Sequence, residues 1–129
     1  MEKYEKLLDM LMDFNKLIRF AAVADRNGEI LWHSQRTGIK NLIPMSDTKK
    51  TIKRAAEAWD ARREVVKQAG RGLYALAAYE KIKRITIPLD EDHILFISTD
   101  NQPKHKGEYG VLAGMGTIMS IVDFVNSST

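Results

Sequence analysis

The sequence has no cysteine. That absence removes disulfides, thiolate-bound zinc, iron–sulfur clusters and a cysteine nucleophile together, and it suits a reducing compartment. Histidine is scarce too. His33, His93 and His105 are the complete set, and no two stand at metal-ligand spacing along a helix or hairpin. No cofactor and no metal is expected. The chain also lacks a long apolar run. Its longest uncharged stretch, Tyr109 to Val122, is shorter than the roughly 20 residues a membrane-spanning helix needs. The apolar residues from Leu7 to Ile18 are broken by Asp9, Asp13 and Lys16, so they do not form the core of a secretion signal. A cytoplasmic protein is expected. Low-complexity tracts, internal repeats and long linkers are missing as well, so the 129 residues read as one domain, 1–129.

A catalytic constellation is also missing. His33 and Ser34 are adjacent on an expected strand and so point to opposite faces. Asp25-Arg-Asn-Gly28 carries its glycine in the fourth position, not the sixth that an EF-hand calcium loop needs. Gly70-Arg-Gly72 follows a helix and leads into a strand, the reverse of a phosphate loop. Gly107-Glu-Tyr-Gly110 has the Gly-x-x-Gly form of a nucleic-acid clamp, but Glu108 opposes phosphate, so nucleic acid is an improbable partner. No enzyme activity is expected.

What is present is a 44% hydrophobic composition with a formal net charge of +3. A domain of this length buries roughly two-thirds of its unfolded surface. Residues 2–19 show helical periodicity in Tyr4, Leu7, Leu8, Leu11, Phe14 and Ile18. Phe20-Ala-Ala-Val-Ala-Asp25 and Glu29-Ile-Leu-Trp-His-Ser34 flank Asn27-Gly28, which marks a tight hairpin. A second helix starts at a cap on Ser46 or Asp47, runs to about Gln68 and stops before Gly70. Strands are expected over 73–79, 82–89 and 93–99, with Pro88 at a strand end or edge because it lacks an N–H. A last helix is expected over 108–125. Gly110, Ala113, Gly114, Gly116, Thr117 and Ser120 suggest close packing of that helix on the sheet or on another subunit. The order is therefore α-β-β-α-β-β-β-α, an α+β fold with a five-stranded antiparallel sheet flanked by helices.

Ala21-Ala-Val-Ala-Asp-Arg-Asn-Gly-Glu-Ile-Leu31, the long helix ending near Gly70, and Ile94-Leu-Phe-Ile-Ser-Thr-Asp100 resemble the roadblock family of dynein light chains and small-GTPase regulators, with its profilin-like layout. The resemblance spans roughly residues 5–122. It implies a sheet flanked by helices and a homodimer or heterodimer joined through the middle helix and the strand after it. It also implies a non-catalytic role in regulating or scaffolding a protein partner such as a small Ras-like GTPase. The middle helix departs from the family pattern in Trp59, Arg62, Arg63 and Lys67.

Charge locates the expected partner surface. From 47 to 71, Lys49, Lys50, Lys53, Arg54, Arg62, Arg63, Lys67 and Arg71 outweigh Asp47, Glu57, Asp60 and Glu64. Helical spacing allows Glu57 with Lys53 or Arg54, Asp60 with Arg63, and Glu64 with Lys67. Tyr79-Glu-Lys-Ile-Lys-Arg84 reads as a charged strand connector, with Lys81, Lys83 and Arg84 at one end of the sheet and a guanidinium able to fork onto phosphate or carboxylate. The candidate partner-binding residues are therefore Trp59, Arg62, Arg63, Lys67, Lys81, Lys83 and Arg84. A second reading is a PAS- or profilin-like sensor, with Trp32, Trp59, Tyr74 and Tyr79 around a ligand between sheet and helix.

Overall fold

A computed structural model describes residues 2–101 and 114–127. The elements are α1 (Glu2–Phe14), β1 (Ile18–Asp25), β2 (Ile30–Gln35), α2 (Met45–Ala61), α3 (Arg63–Ala69), β3 (Ala75–Ala78), β4 (Ile82–Pro88), β5 (His93–Asp100) and α4 (Met115–Ser127). The five strands form one antiparallel sheet in the order β2-β1-β5-β4-β3. The expected fold class holds, with α1 and α4 on one face and α2 on the other.

The pleat sorts each strand between two cores. Ala21, Val23, Ile85, Ile87, Leu95 and Ile97 face α1 and α4. Phe20, Ala22, Ala24, Ile94 and Phe96 face Ile52 and Ala56 of α2. With both faces covered, β1 and β5 are nearly continuous in apolar residues rather than alternating. The alanines of β1 let α2 come close, and β2 and β3 are left as the sheet edges.

Several boundaries differ from the expected ones. The first helix ends at Phe14, not at residue 19. Asn15 turns the chain, its Oδ1 accepting the Leu17 N–H at 3.0 Å, and Ile18 opens β1 instead. The middle helix is two helices. Arg62 sits at φ −95°, ψ 10°, and its N–H turns back to the Trp59 carbonyl at 3.1 Å. α2 is entered from Pro44 without a side-chain cap, so neither Ser46 nor Asp47 plays that part. β3 covers only 75–78, while Pro88 closes β4 as its missing donor requires. The expected start of the last helix, residues 108–113, lies outside the described residues, as do His105 and the Gly107–Gly110 motif. Gly116 is exposed on α4 and a Cβ there would meet nothing, so this glycine does not serve close packing.

The Asn27-Gly28 hairpin is present but built differently from the two-residue turn such a pair favours. Asp25 and Glu29 close a three-residue loop, and Asp25 Oδ1 accepts the N–H groups of Asn27 at 2.9 Å and Glu29 at 3.0 Å. Only Gly28 takes a positive φ, +86°.

Candidate functional site

α2 lies on the sheet through a narrow stripe. Thr48, Ile52 and Ala56, one turn apart, are its buried residues, and α3 has none. Most of the remaining α2 and α3 surface faces outward, and this is where the expected partner residues gather. Trp59 is half-buried at the end of α2. Its indole packs so closely over Gly72 that a Cβ there would lie 2.3 Å from the ring. The Arg62 guanidinium stacks 4.7 Å from the Trp59 ring centroid. Trp59 Nε1 is buried and has no hydrogen-bond partner among the described residues. Arg62, Arg63, Val65 and Lys67 are exposed beside it.

The end of α2 is held by charge. Arg26, in the β1–β2 turn, donates to the Asp60 carboxylate and, at 2.7 Å, to the Glu91 carbonyl in the β4–β5 turn. Arg63 Nη2 also reaches Asp60, at 3.2 Å. The hydrogen bond from Arg26 holds the Asp60 carboxyl below the usual range, with Arg63 adding to it against the effect of burial. Lys67 pairs with Glu64 at 3.1 Å, as the helical spacing indicated. Glu57 forms no ion pair with Lys53 or Arg54.

The other three candidates are not together. Lys81 is exposed in the β3–β4 turn, which lies at the end of the sheet opposite to Trp59. Lys83 and Arg84 belong to β4, are buried, and point to opposite faces. Lys83 Nζ donates to Asn101 Oδ1 at 2.8 Å, and Asn101 Nδ2 in turn donates to the carbonyls of Tyr79 at 2.6 Å and Glu80 at 2.8 Å. Arg84 turns toward α2, donating to Thr48 Oγ1 at 2.7 Å and Thr51 Oγ1 at 3.3 Å. The expected solvent-facing cluster of three cations is thus reduced to Lys81, because helices cover both faces of β4 and Lys83 and Arg84 turn inward to Asn101 and to the threonines of α2.

The four aromatic side chains of the sensor reading do not surround one space. Trp32 and Tyr74 pack on the α1 face, from opposite edges of the sheet. Trp59 is on α2, and Tyr79 is exposed at a turn.

Two features had no local signal in the sequence. Tyr4, Trp32, Asp90 and His93 form a cluster between α1 and the β4–β5 turn. Arg84 lies beside a shallow cleft lined by Arg19, Phe20, Leu42, Met45, Thr48, Phe96 and others. Both depend on residues tens of positions apart in the chain.

No family model matches the chain, and no curated protein matches it in sequence. Solved structures do match the fold. The gliding protein MglB from Thermus thermophilus superposes with a TM-score of 0.64 at 16% identity, over 98% of this chain and 93% of that one. An MglB described with a tetrameric arrangement gives 0.65 at 17% identity, over 97% and 88%. A Roadblock/LC7 domain from Streptomyces avermitilis gives 0.59 at 7% identity, over 95% and 90%. The chain therefore has the roadblock fold. Among the described residues, no helix is long and apolar enough to cross a membrane.

Proposed function

We propose that this chain is a non-catalytic, cytoplasmic interaction module. It self-associates as a homodimer and regulates or scaffolds a protein partner of the small Ras-like GTPase class. The observation that carries this reading is the outer surface of α2 and α3. α2 buries one stripe on the sheet, α3 buries nothing, and Trp59 stacks with Arg62 beside exposed Arg63 and Lys67, its buried indole N–H without an acceptor among the described residues. Charge on the same surface favours a partner with an acidic patch. The tetrameric arrangement described for one similar fold supports self-association as a property to test here.

The test has two parts. Light scattering after size exclusion, over a range of concentrations, reads the mass, and a dimer is expected. Pull-down with purified small GTPases, loaded with GDP or a GTP analogue, reads partner capture. Arg62→Glu with Arg63→Glu should abolish capture without unfolding the domain, because both side chains are exposed and their contacts, a stack on Trp59 and a surface pair with Asp60, are each worth about 1 kcal/mol or less. Capture that survives both changes removes this surface from the reading, and a strict monomer removes the dimer.

A further inference from the structure

Asn27 is the one asparagine in the chain that precedes a glycine. That pair carries a chemistry of its own, because a glycine nitrogen has no side chain beside it to hinder attack on the amide before it. The Gly28 nitrogen loses its proton and bonds to Asn27 Cγ, the Cγ–Nδ2 bond breaks, and ammonia leaves. Water then opens the cyclic imide at one carbonyl or the other, giving aspartate or isoaspartate.

The fold separates the two halves of this reaction. Asn27 is exposed, and its side-chain amide forms no hydrogen bond among the described residues. Gly28 is buried, and its N–H donates to the Asp25 carbonyl at 3.1 Å. Asp25 Oδ1 holds the N–H groups of Asn27 and Glu29 on either side of it. α2 lies directly behind the glycine, where a Cβ would run into the Lys49 carbonyl. Arg26 fastens the same turn to Asp60 near the end of α2 and to the Glu91 carbonyl, and Glu29 pairs with Lys49 at 3.8 Å. A buried, bonded N–H meets base only when the structure around it opens, as in amide exchange.

We propose that Asn27 is a self-modification site gated by the β1–β2 turn, inert while the turn is closed on α2 and converted through the imide to aspartate and isoaspartate when it opens. The conversion runs one way. Isoaspartate routes the main chain through the side-chain carbon and lengthens it by a methylene, so the three-residue loop between Asp25 and Glu29 no longer fits the bonds that close it. Either product also adds a carboxylate between those of Asp25 and Glu29. The turn braces α2 near its start through Gly28 and Glu29 and near its end through Arg26, so a modified chain holds α2 less firmly. The site is separate from the Trp59–Lys67 surface, and its test does not depend on any protein partner.

The full chain is incubated at mildly alkaline pH, once below its melting temperature and once in denaturant. Peptide mapping reads the mass gained when amide becomes acid, and labelling by a protein isoaspartate methyltransferase reads isoaspartate. Asn27 should react at least about tenfold more slowly in the folded chain, and Asn27→Gln should remove the label at this position. Asp25→Ala takes away the side-chain acceptor of two turn N–H groups and leaves Asn27-Gly28 intact. The folded-state rate should then rise about tenfold, together with amide exchange at Gly28. Arg26→Met frees the turn from Asp60 and Glu91, should act in the same direction, and carries the test if Asp25→Ala does not fold. Chain containing isoaspartate, separated by its added charge, should melt below the parent. Equal rates in folded and denatured chain, Gly28 exchange that accelerates without faster reaction at Asn27, or a modified chain that melts as the parent does would each overturn the proposal.

Discussion

Tyr4 Oη donates a hydrogen bond to Asp90 Oδ2 at 2.5 Å, joining the first turn of α1 to the β4–β5 turn across 86 positions of sequence. His93 Nδ1 lies 2.9 Å from both oxygens of the same carboxylate, and the Asp92 N–H donates to Oδ1 at 2.7 Å. The Trp32 ring closes over the group, 5.5 Å from Tyr4 and 6.2 Å from His93 between centroids. The turn is thereby fixed to the helix that covers one face of the sheet.

This cluster predicts an acid-sensitive contribution to stability. Burial by itself would raise the Asp90 carboxyl, but hydrogen bonds from Tyr4, His93 and the Asp92 amide outweigh it and hold the group below the usual range. A carboxyl depressed in the folded state stabilises the fold above its unfolded value of about 4, and that contribution disappears as pH falls through the folded value. Unfolding free energies from denaturant titrations between neutral pH and pH 3 should show this loss. Tyr4→Phe should cost about 1–2 kcal/mol at neutral pH, the carboxylate being partly exposed, and should flatten the acid limb. An acid limb identical to that of the parent would show that Tyr4 does not tune Asp90.

Gly28 is constrained twice. Its φ is +86°, and a Cβ would sit 2.3 Å from the Lys49 carbonyl oxygen of α2. Gly28→Ala should therefore destabilise by more than about 1 kcal/mol, since the backbone strain and the clash add. Gly38→Ala is the control, with a φ of +80° but open space around it. Equal losses at both positions in thermal melts would mean that contact with α2 contributes nothing.

Gly72 sets the position of Trp59. The nearest atoms to a Cβ at residue 72 belong to the indole, at 2.3 to 2.9 Å. Gly72→Ala should push the ring outward and break its stacking with Arg62. In a Trp32→Phe background, the remaining fluorescence should shift to the red. An unchanged emission maximum would show that the backbone at 72 yields instead.

Arg36 closes the end of α1. Its Nε donates to the Ile18 carbonyl at 2.8 Å, and Nη2 donates to the carbonyls of Met12 at 2.9 Å and Asn15 at 3.0 Å. Helix C-termini leave carbonyls unsatisfied, and here a side chain from beyond β2 satisfies them. Arg36→Met should cost about 1–3 kcal/mol. Amide exchange should accelerate first in residues 12–18, and uniform acceleration across the domain would argue against a local capping role.

The sequence by itself determined the element order, the antiparallel hairpin at Gly28 and the placement of Pro88 at a strand end, because these rest on periodicity and on local backbone limits. It also marked Trp59, Arg62, Arg63 and Lys67 as close along the chain, but not the break at Arg62 that puts Trp59 on α2 and Arg63 and Lys67 on α3. It did not show that α1 stops at Phe14, because Leu17 and Ile18 continue the apolar period although Asn15 has already turned the chain. Alternation along the expected strand 82–89 separates Lys83 from Arg84, but it could not bury them, since burial depends on which helix covers which face of β4. The cleft at Arg84 and the Tyr4–Asp90 bond belong to the tertiary structure alone. Each joins groups distant along the chain, and only the packing of helices on both faces of the sheet brings them within reach.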